Sequence, residues 1–322
     1  MATFTQQLDK SEFIGHLRPI NITRDLMIVA DLVELCFADS LDSDGRRYVN
    51  QMRRQARNLQ RPTLASSKPT VLEGFVWEEN GRIVGNLNLI PVTVLHQKAY
   101  LIANVAVHPQ YRRQGIARSM TLAALDEIDS KNVHQVWLQV NANNQSAISL
   151  YESIQFKEEL RRTTWHSGDE GYHGRIPEGI KITARHWGDW AQQRQWLRSI
   201  YPGQVSWHLP IDYNLLRPGM GGTLNRLLDQ RQLRQWSARI NGKLVGVVTW
   251  QSSNLQADWL WLAAAPEHEE IALSALLSFA QRTLSHTRKL AVNYPDGRYM
   301  HVFHKAGFEE HETLIWMRRK VE

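Results

Sequence analysis

VAVHPQYRRQGIA, Val105 to Ala117, decides the reading of this chain. It runs as an apolar strand, a Pro-marked turn, a basic loop containing glycine, and a helix that begins at about Gly115. A helix N-terminus presents unpaired backbone N–H groups and the positive end of the helix dipole, so an anion fits there. Gly115 and Ala117 lack bulk, which lets the backbone approach a phosphate closely. Arg112, Arg113 and Arg118 add mobile positive charge around the same point. The stretch is predicted to form a cradle for a diphosphate.

A second element follows one helix and one strand later: NQSAISLYESIQF, Asn144 to Phe156. RRQGIA, Arg112 to Ala117, resembles the Q/R-x-x-G-x-G/A signature of the GNAT acyltransferases. The second element resembles their N-x-x-A-x-x-L-Y-x-x-x-G-F pattern, with Gln155 in the glycine place. One glycine-loop match alone is weak, whereas two in order at this spacing are specific. The resemblance implies an acetyl-coenzyme A-dependent N-acyltransferase without a metal. Val105, Ala106 and Val107 would hold the pantetheine arm, which pairs with the fourth strand like an added strand. Arg112, Arg113, Gln114, Gly115, Ile116, Ala117 and Arg118 would wrap the pyrophosphate. The Val105 N–H would face the thioester oxygen, and Tyr151 would protonate the leaving thiolate; a phenol near pKa ~10 carries its proton at neutral pH. The alternative for Tyr151 is a helix residue packing on the sheet. Asn144 either hydrogen-bonds the pantetheine or caps the helix that follows it.

The general base is not legible. VWLQVNANN, Val136 to Asn144, resembles a stretch of the ribosomal-protein alanine N-acetyltransferases in which a Glu at the Gln139 place is the proposed base, and Gln cannot take a proton. Asn104 is no base either. Glu73 and Glu78 lie on the strand that borders the acceptor groove in this fold, or are simply solvated. An α-amine with pKa ~7.7–8 is appreciably free at neutral pH and lysine at ~10.4 is not, so a site without a strong base favours low-pKa amines or uses a water chain. His108 sits beside Pro109 and reads as a turn residue near the phosphates rather than a catalyst.

Composition sets the frame. The 322 residues are 43% hydrophobic and 22% charged, with a single cysteine, Cys36, which excludes an internal disulfide. No Cys/His spacing resembles a zinc site, and Cys36 reads as a buried, inert thiol. No apolar run reaches the ~20 residues that span a bilayer, and MATFTQQLDKSEF has no apolar signal region, so a cytoplasmic protein without membrane contact is expected. Residues 1–170 hold 19 basic and 19 acidic side chains, so the net charge of +6 belongs to the rest. That excess suits RNA, a ribosome or an anionic substrate. No dense basic stripe accompanies it, so an ordinary solvated surface is the expected explanation.

The chain also repeats itself. ENGRIVG, Glu79 to Gly85, returns as INGKLVG, Ile240 to Gly246; NVAVHP, ending at Pro109, returns as WLAAAP, ending at Pro266; LYESIQF, Leu150 to Phe156, returns as VFHKAGF, Val302 to Phe308. Order is kept, which predicts tandem domains of one fold. The expectation is α/β: two GNAT-like domains, each a mixed, mostly antiparallel twisted sheet flanked by helices. The first would span residues 1–166, the linker 167–178 and the second domain 179–322. In the first copy strands are expected at Leu17–Thr23, Val71–Trp77, Ile83–Val92, Ala99–Val107, His134–Val140 and Phe156–Trp165. Helices are expected at Asp25–Ala38, Gly45–Leu59, Gly115–Ser130 and Ser146–Ser153.

The second copy is damaged at the key positions. Glu267, Glu269 and Glu270 stand where Arg112 and Arg113 stood, Asp296 replaces Asn144, Tyr299 replaces Ala147 and Phe303 replaces Tyr151. Carboxylates repel a pyrophosphate, by about 1 kcal/mol per pair at ~4 Å even in water. This half is expected to support structure or substrate binding. Nine of the twelve Trp lie in it, and core packing is the expected reason. The acceptor is then a small-molecule amine or a peptide N-terminus, and the competing reading is a non-catalytic acyl-coenzyme A sensor or scaffold.

Overall fold

The computed structural model describes residues 17–39, 41–60, 73–131, 133–168, 174–219, 232–284 and 288–320. The amino-terminal stretch and part of the expected linker lie outside them. Among the described residues no helix is long and apolar enough to cross a membrane. The chain forms two compact units: Met1–Gln139 with Ser146–Lys157 and Met317–Glu322, and Val140–Gln145 with Glu158–Trp316.

The first unit is built on strands in the order β1 (Leu17–Pro19), β2 (Glu73–Glu79), β3 (Arg82–Val94), β4 (Gln97–Val107) and β5 (Gln135–Asn141). Asn80 and Gly81, with φ of 48° and 75°, make the turn between β2 and β3 that the Asn-Gly pair predicts. Helices α1 (Ile22–Phe37) and α2 (Ser43–Gln60) bury Leu26, Val29, Ala30 and Val33 of the one and Val49, Met52 and Ala56 of the other, at three-to-four spacing. Their shared cluster includes Val76 and Ala106 of the sheet. Helix α3 (Ile116–Asp129) connects β4 to the parallel β5 and covers the opposite face. Gly85 makes that approach possible, because a Cβ there would stand 2.9 Å from Trp77 Cβ and 3.1 Å from Ile116 Cγ2 and Met120 Cε. Helix α4 (Gln145–Ser153) and strand β6 (Lys157–Ser167) complete the first repeat of the sequence. Cys36 is half-buried, its thiol donates to the Val107 carbonyl at 3.2 Å, and burial pushes its pKa up.

The second unit has the order β12 (Phe308–Lys320, counted with this unit as far as Trp316), β6, β11 (Lys289–Pro295), β10 (Ala257–Ala264), β9 (Lys243–Gln251), β8 (Leu233–Ile240) and β7 (Ile180–Ala184). Its flanking helices are α5 (Trp190–Ile200), α6 (Glu269–Leu284) and α7 (Met300–Lys305). The repeat is visible in the connections: Asn241 and Gly242 turn β8 into β9 at φ of 48° and 80°, and β10 runs parallel to β11 as β4 does to β5. Strand β6 pairs antiparallel with β11, from Arg162↔Pro295 to His166↔Ala291, so all but its first residue counts with the second unit rather than ending the first. Of the nine Trp expected in the second half, Trp196 and Trp261 lie in this unit's core, as core packing predicts, whereas Trp187 is 83% exposed; Trp165 of β6 joins the same core.

At the start of α1 the buried Asp25 accepts hydrogen bonds from Arg18 Nη1 at 2.6 Å, the Asn21 N–H at 2.8 Å and Arg24 Nε at 2.9 Å. Burial alone would raise its pKa, but these donors outweigh it and hold the carboxyl below its ordinary value. Its stabilisation is therefore present at neutral pH and lost as pH falls through the folded-state pKa. Asp25→Asn is expected to cost about 3–5 kcal/mol at pH 7. In denaturant titrations the gap from the parent should start to narrow below about pH 4, the ordinary carboxyl range, and go on narrowing as pH falls through the lower folded-state pKa.

Candidate active site

Strand β4 ends on a rung in which the His108 N–H donates to the Val84 carbonyl at 2.8 Å. A helical turn, Pro109–Tyr111, follows, and His108 caps it by accepting the Gln110 N–H on Nδ1 at 3.3 Å. His108 is thus the turn residue its neighbour Pro109 suggests. Arg113 and Gly115 then adopt φ of 63° and 80°, and α3 begins at Ile116 with Gly115 as its N-cap. A Cβ on Gly115 would meet nothing within 4 Å, so glycine is needed there for its dihedral angle, and the space before it is open. The N–H groups of Ile116, Ala117 and Arg118 belong to the first turn, where a helix supplies no acceptor. Arg112, Arg113, Gln114, Gly115 and Arg118 are exposed, Ala117 is half-buried and Ile116 is buried. The expectation of three mobile arginines needs correction: Arg112 Nε donates to the Val107 carbonyl at 3.1 Å and Arg118 Nη1 to Ser153 Oγ at 2.7 Å.

Upstream of the cradle β4 leaves its parallel neighbour. Register runs Ala99–Ile102 against Gln135–Leu138 and stops. On the other side Asn88 pairs with Ala103 but Asn86 pairs with Ala106, a bulge centred on Asn104, whose φ is 52°. Val105 and Val107, both half-buried, lie on the part of β4 that has left β5, and Ala106 between them is buried.

Tyr151, on α4, is 5% exposed and meets the Phe156 ring edge-on at 6.0 Å. Burial pushes its phenol up to about 12. It belongs to the first unit with the cradle and the bulge, but Asn144 falls in Val140–Gln145, which counts with the second; its N–H donates to the Asn141 carbonyl at 2.9 Å. Gln155, in the glycine place, has φ of 70°, the conformation a glycine takes at no cost.

Residues 37–156 match the model of the Acetyltransferase (GNAT) family. The ribosomal protein bS18-alanine N-acetyltransferase of Escherichia coli (strain K12) is 30% identical over 121 residues, 38% of this chain and 79% of that protein. This chain belongs to the GNAT family. An N-alpha-acetyltransferase of Sulfurisphaera tokodaii is 31% identical over 109 residues, 30% of this chain and 65% of that protein. The fold likeness extends over both units. A GCN5-related N-acetyltransferase from Sphaerobacter thermophilus superimposes with a TM-score of 0.59 at 14% identity, covering 95% of this chain and 96% of its own. A tandem GNAT protein from the clavulanic acid biosynthesis pathway gives 0.52 at 15% identity, covering 95% and 98%. The chain is thus an N-acetyltransferase of tandem GNAT architecture.

In this GNAT protein the two candidate carboxylates of β2, Glu73 and Glu78, are committed. Glu73 accepts from Lys131 Nζ at 2.7 Å and Tyr100 Oη at 3.4 Å, and Glu78 from Arg18 Nε at 2.8 Å. Gln139 is half-buried on β5. A polar cluster that the sequence reading missed lies at the bulge instead. Asn86 Nδ2 donates to Asn88 Oδ1 at 3.1 Å and to the Asn104 carbonyl at 2.9 Å; Asn104 Nδ2 donates to Asn88 Oδ1 at 3.1 Å and to Tyr48 Oη at 2.8 Å. Asn86 and Asn88 are wholly buried, yet Asn86 Oδ1 and Asn88 Nδ2 have no partner among the described residues. Such orphans cost about 1–3 kcal/mol each. The signal was GNLNL, Gly85 to Leu89, where asparagine alternates with apolar residues.

In the second unit the equivalent places are filled. Glu269 opens α6 almost fully buried, and its carboxylate accepts from Tyr294 Oη and Arg298. A cavity of about 470 Å³ beside it is lined by Glu267, Glu270, His268, Tyr299 and His301 among others. Leu262, at the place of Val105, donates its N–H to the buried Tyr201 Oη at 3.3 Å.

Strain and contact can be separated at the cradle. Gly115→Ala is expected to lower stability by about 1–2 kcal/mol, although its methyl group touches nothing, because an L-residue is forced into the left-handed region. Chemical denaturation reads this as a lower midpoint at unchanged slope.

Proposed function

We propose that the first unit transfers an acetyl group from acetyl-coenzyme A to an α-amine, on a peptide or protein N-terminus or on a small molecule, by direct attack in a ternary complex. The observation that carries this reading is the open N-terminus of α3 behind Gly115, adjoining the stretch of β4 that has left β5, with Tyr151 buried in the same unit. The diphosphate would lie against the N–H groups of Gly115, Ile116, Ala117 and Arg118, with Arg113 and Gln114 beside it. The pantetheine arm would run along Val105, Ala106 and Val107. Asn144 is proposed as a helix cap rather than a coenzyme ligand, since it precedes α4 directly.

The amine lone pair attacks the thioester carbon, the C–N bond forms and the C–S bond breaks. The Val105 N–H would stabilise the oxyanion between these events, an interaction worth about 3–4 kcal/mol when preorganised. Tyr151 gives its proton to the departing thiolate and recovers one from solvent, where the amine has lost its own. A phenol pushed up to about 12 holds its proton throughout the useful pH range. The relatives named for N-terminal acetylation support an α-amine acceptor, as does the commitment of Glu73 and Glu78 to ion pairs. The second unit, with Glu269 at its helix start, would support structure or acceptor binding and leave the coenzyme to the first.

Tyr151→Phe is expected to lower kcat by roughly 10²–10⁴-fold. Its affinity for acetyl-coenzyme A in calorimetry should stay within about threefold of the parent, because the phenol lies outside the cradle. Thiol release with a peptide bearing a free alanine N-terminus reads the first quantity. Equal turnover by parent and variant would remove Tyr151 from the mechanism, and coenzyme binding without release on any amine would favour a sensor. In the parent, kcat/KM should rise with pH up to the amine's own pKa, ~7.7–8, with no fall due to Tyr151 before about pH 11.

A further inference from the structure

The three asparagines at the bulge form a device with one loose end. Both N–H groups of the Asn104 amide are spent, on Asn88 Oδ1 at 3.1 Å and on Tyr48 Oη at 2.8 Å. Its main-chain carbonyl is held by Asn86 Nδ2 at 2.9 Å. The amide is therefore fixed in orientation, and its Oδ1 accepts from no described residue, on a half-buried side chain next to Val105. Deeper in the cluster one buried acceptor, Asn86 Oδ1, and one buried donor, Asn88 Nδ2, on the same strand face, lack partners among the described residues.

The face matters as much as the atoms. Gly85 points at Ile116 and Met120 of α3, so strand alternation puts Asn86 and Asn88 on the opposite side, toward Tyr48 of α2. A coenzyme seated on the α3 N-terminus and an amine arriving at the asparagines would reach the bulge from opposite faces. Their reacting atoms meet at Val105.

We infer that the Asn86–Asn88–Asn104–Tyr48 cluster is the amine-positioning site, in which Asn104 Oδ1 accepts an N–H of the attacking neutral amine. This rests on the function proposed above. An amide oxygen orients an N–H but takes no proton, so the site admits amines that arrive unprotonated and leaves the rest to protonation equilibria. Asn104 is a positioning residue held by Asn88 and Tyr48. The amine forms its C–N bond as C–S breaks, its surplus proton passes to water, and Tyr151 protonates the thiolate, so one proton moves in net from nitrogen to sulfur.

The test compares a peptide bearing a free alanine N-terminus and no lysine with Nα-acetyl-lysine amide, using the full chain. Asn104→Gly keeps a residue suited to positive φ while removing the amide. It is expected to raise the KM for the alanine peptide at least tenfold, with the KM for acetyl-coenzyme A within twofold of the parent. Tyr48→Phe should move the acceptor KM a few-fold in the same direction. The parent should favour the α-amine over the ε-amine roughly a few hundred-fold at pH 7, the ratio of their free-base fractions. Asn104→Asp supplies a proton acceptor at the same place and should shrink that ratio, which a merely structural role would not do. A parallel rise of both KM values, no change in either, or an unaltered ratio in Asn104→Asp overturns the assignment. So does a parent that binds acetyl-coenzyme A yet acetylates neither amine, which leaves the cradle standing; a parent that fails to bind acetyl-coenzyme A overturns both readings.

Discussion

The departure of β4 from β5 after Ile102 is the constraint on which the chemistry proposed for the first unit depends. A parallel pair satisfies its backbone groups by continuing, so ending the ladder in mid-sheet leaves an edge that something else must meet. The bulge at Asn104 produces this departure. A non-glycine residue at φ of 52° is uncommon, and asparagine is among the few side chains that tolerate it. Three side-chain hydrogen bonds from Asn86 and Asn104 fix it there. The same short run of chain then makes the turn at Pro109, the left-handed N-cap at Gly115 and the start of α3. The open strand edge and the open helix end thus lie on one local path of the chain.

The second unit shows what that path becomes when its openings are closed. Its hairpin and its parallel pair match those of the first, and β10 pairs with β11 only from Ala257 to Trp259. The residue in the place of Val105 gives its N–H to Tyr201, and the residue that begins the helix is a buried glutamate with its own hydroxyl and guanidinium partners. A carboxylate at a helix N-terminus satisfies the same dipole that would attract a phosphate. Internal groups thus take up a strand N–H and a helix start that the first unit leaves open. The aromatic mass of this half follows the same logic, since Trp165 and Phe303 stack at 4.7 Å and Trp261 meets Tyr201 edge-on at 5.4 Å inside the core.

What could be read from the sequence was what the sequence determines locally. Gly115, the Asn-Gly turns and the apolar spacing of α1 and α3 each encode a dihedral angle or a face within a few residues, and element boundaries followed to within a few positions. The GNAT motifs extended that reach because they record a conserved local path. Longer-range choices were not legible. Strand β6 reads as the last strand of the first repeat, but its pairing with β11 joins residues about 130 apart, and no local pattern states it. Arg112 and Arg118 look mobile in sequence because their acceptors, the Val107 carbonyl and Ser153, come into reach only through the turn and through α4. The asparagine cluster was hidden for the same reason: Tyr48, Asn88 and Asn104 become neighbours through strand register and the bulge.

The polar side chains of the first unit divide into two kinds, and the division bears on how a proton leaves the amine. The carboxylates Glu73, Glu78 and Asp25 are spent on cations: Glu73 with Lys131, Glu78 with Arg18, Asp25 with Arg18 and Arg24. Those near the bulge are neutral amides and phenols. A carboxylate at the bulge would attract an ammonium and hold it in the unreactive form until it gave up its proton, whereas an amide offers direction without charge. A site made of amides therefore draws its base from solvent and its selectivity from the acceptor's own pKa, which for an α-amine lies close enough to neutrality to need no further help. In the mechanism proposed above, the buried phenol of Tyr151 would complete this from the other side, since its raised pKa would keep a proton available when the thiolate forms.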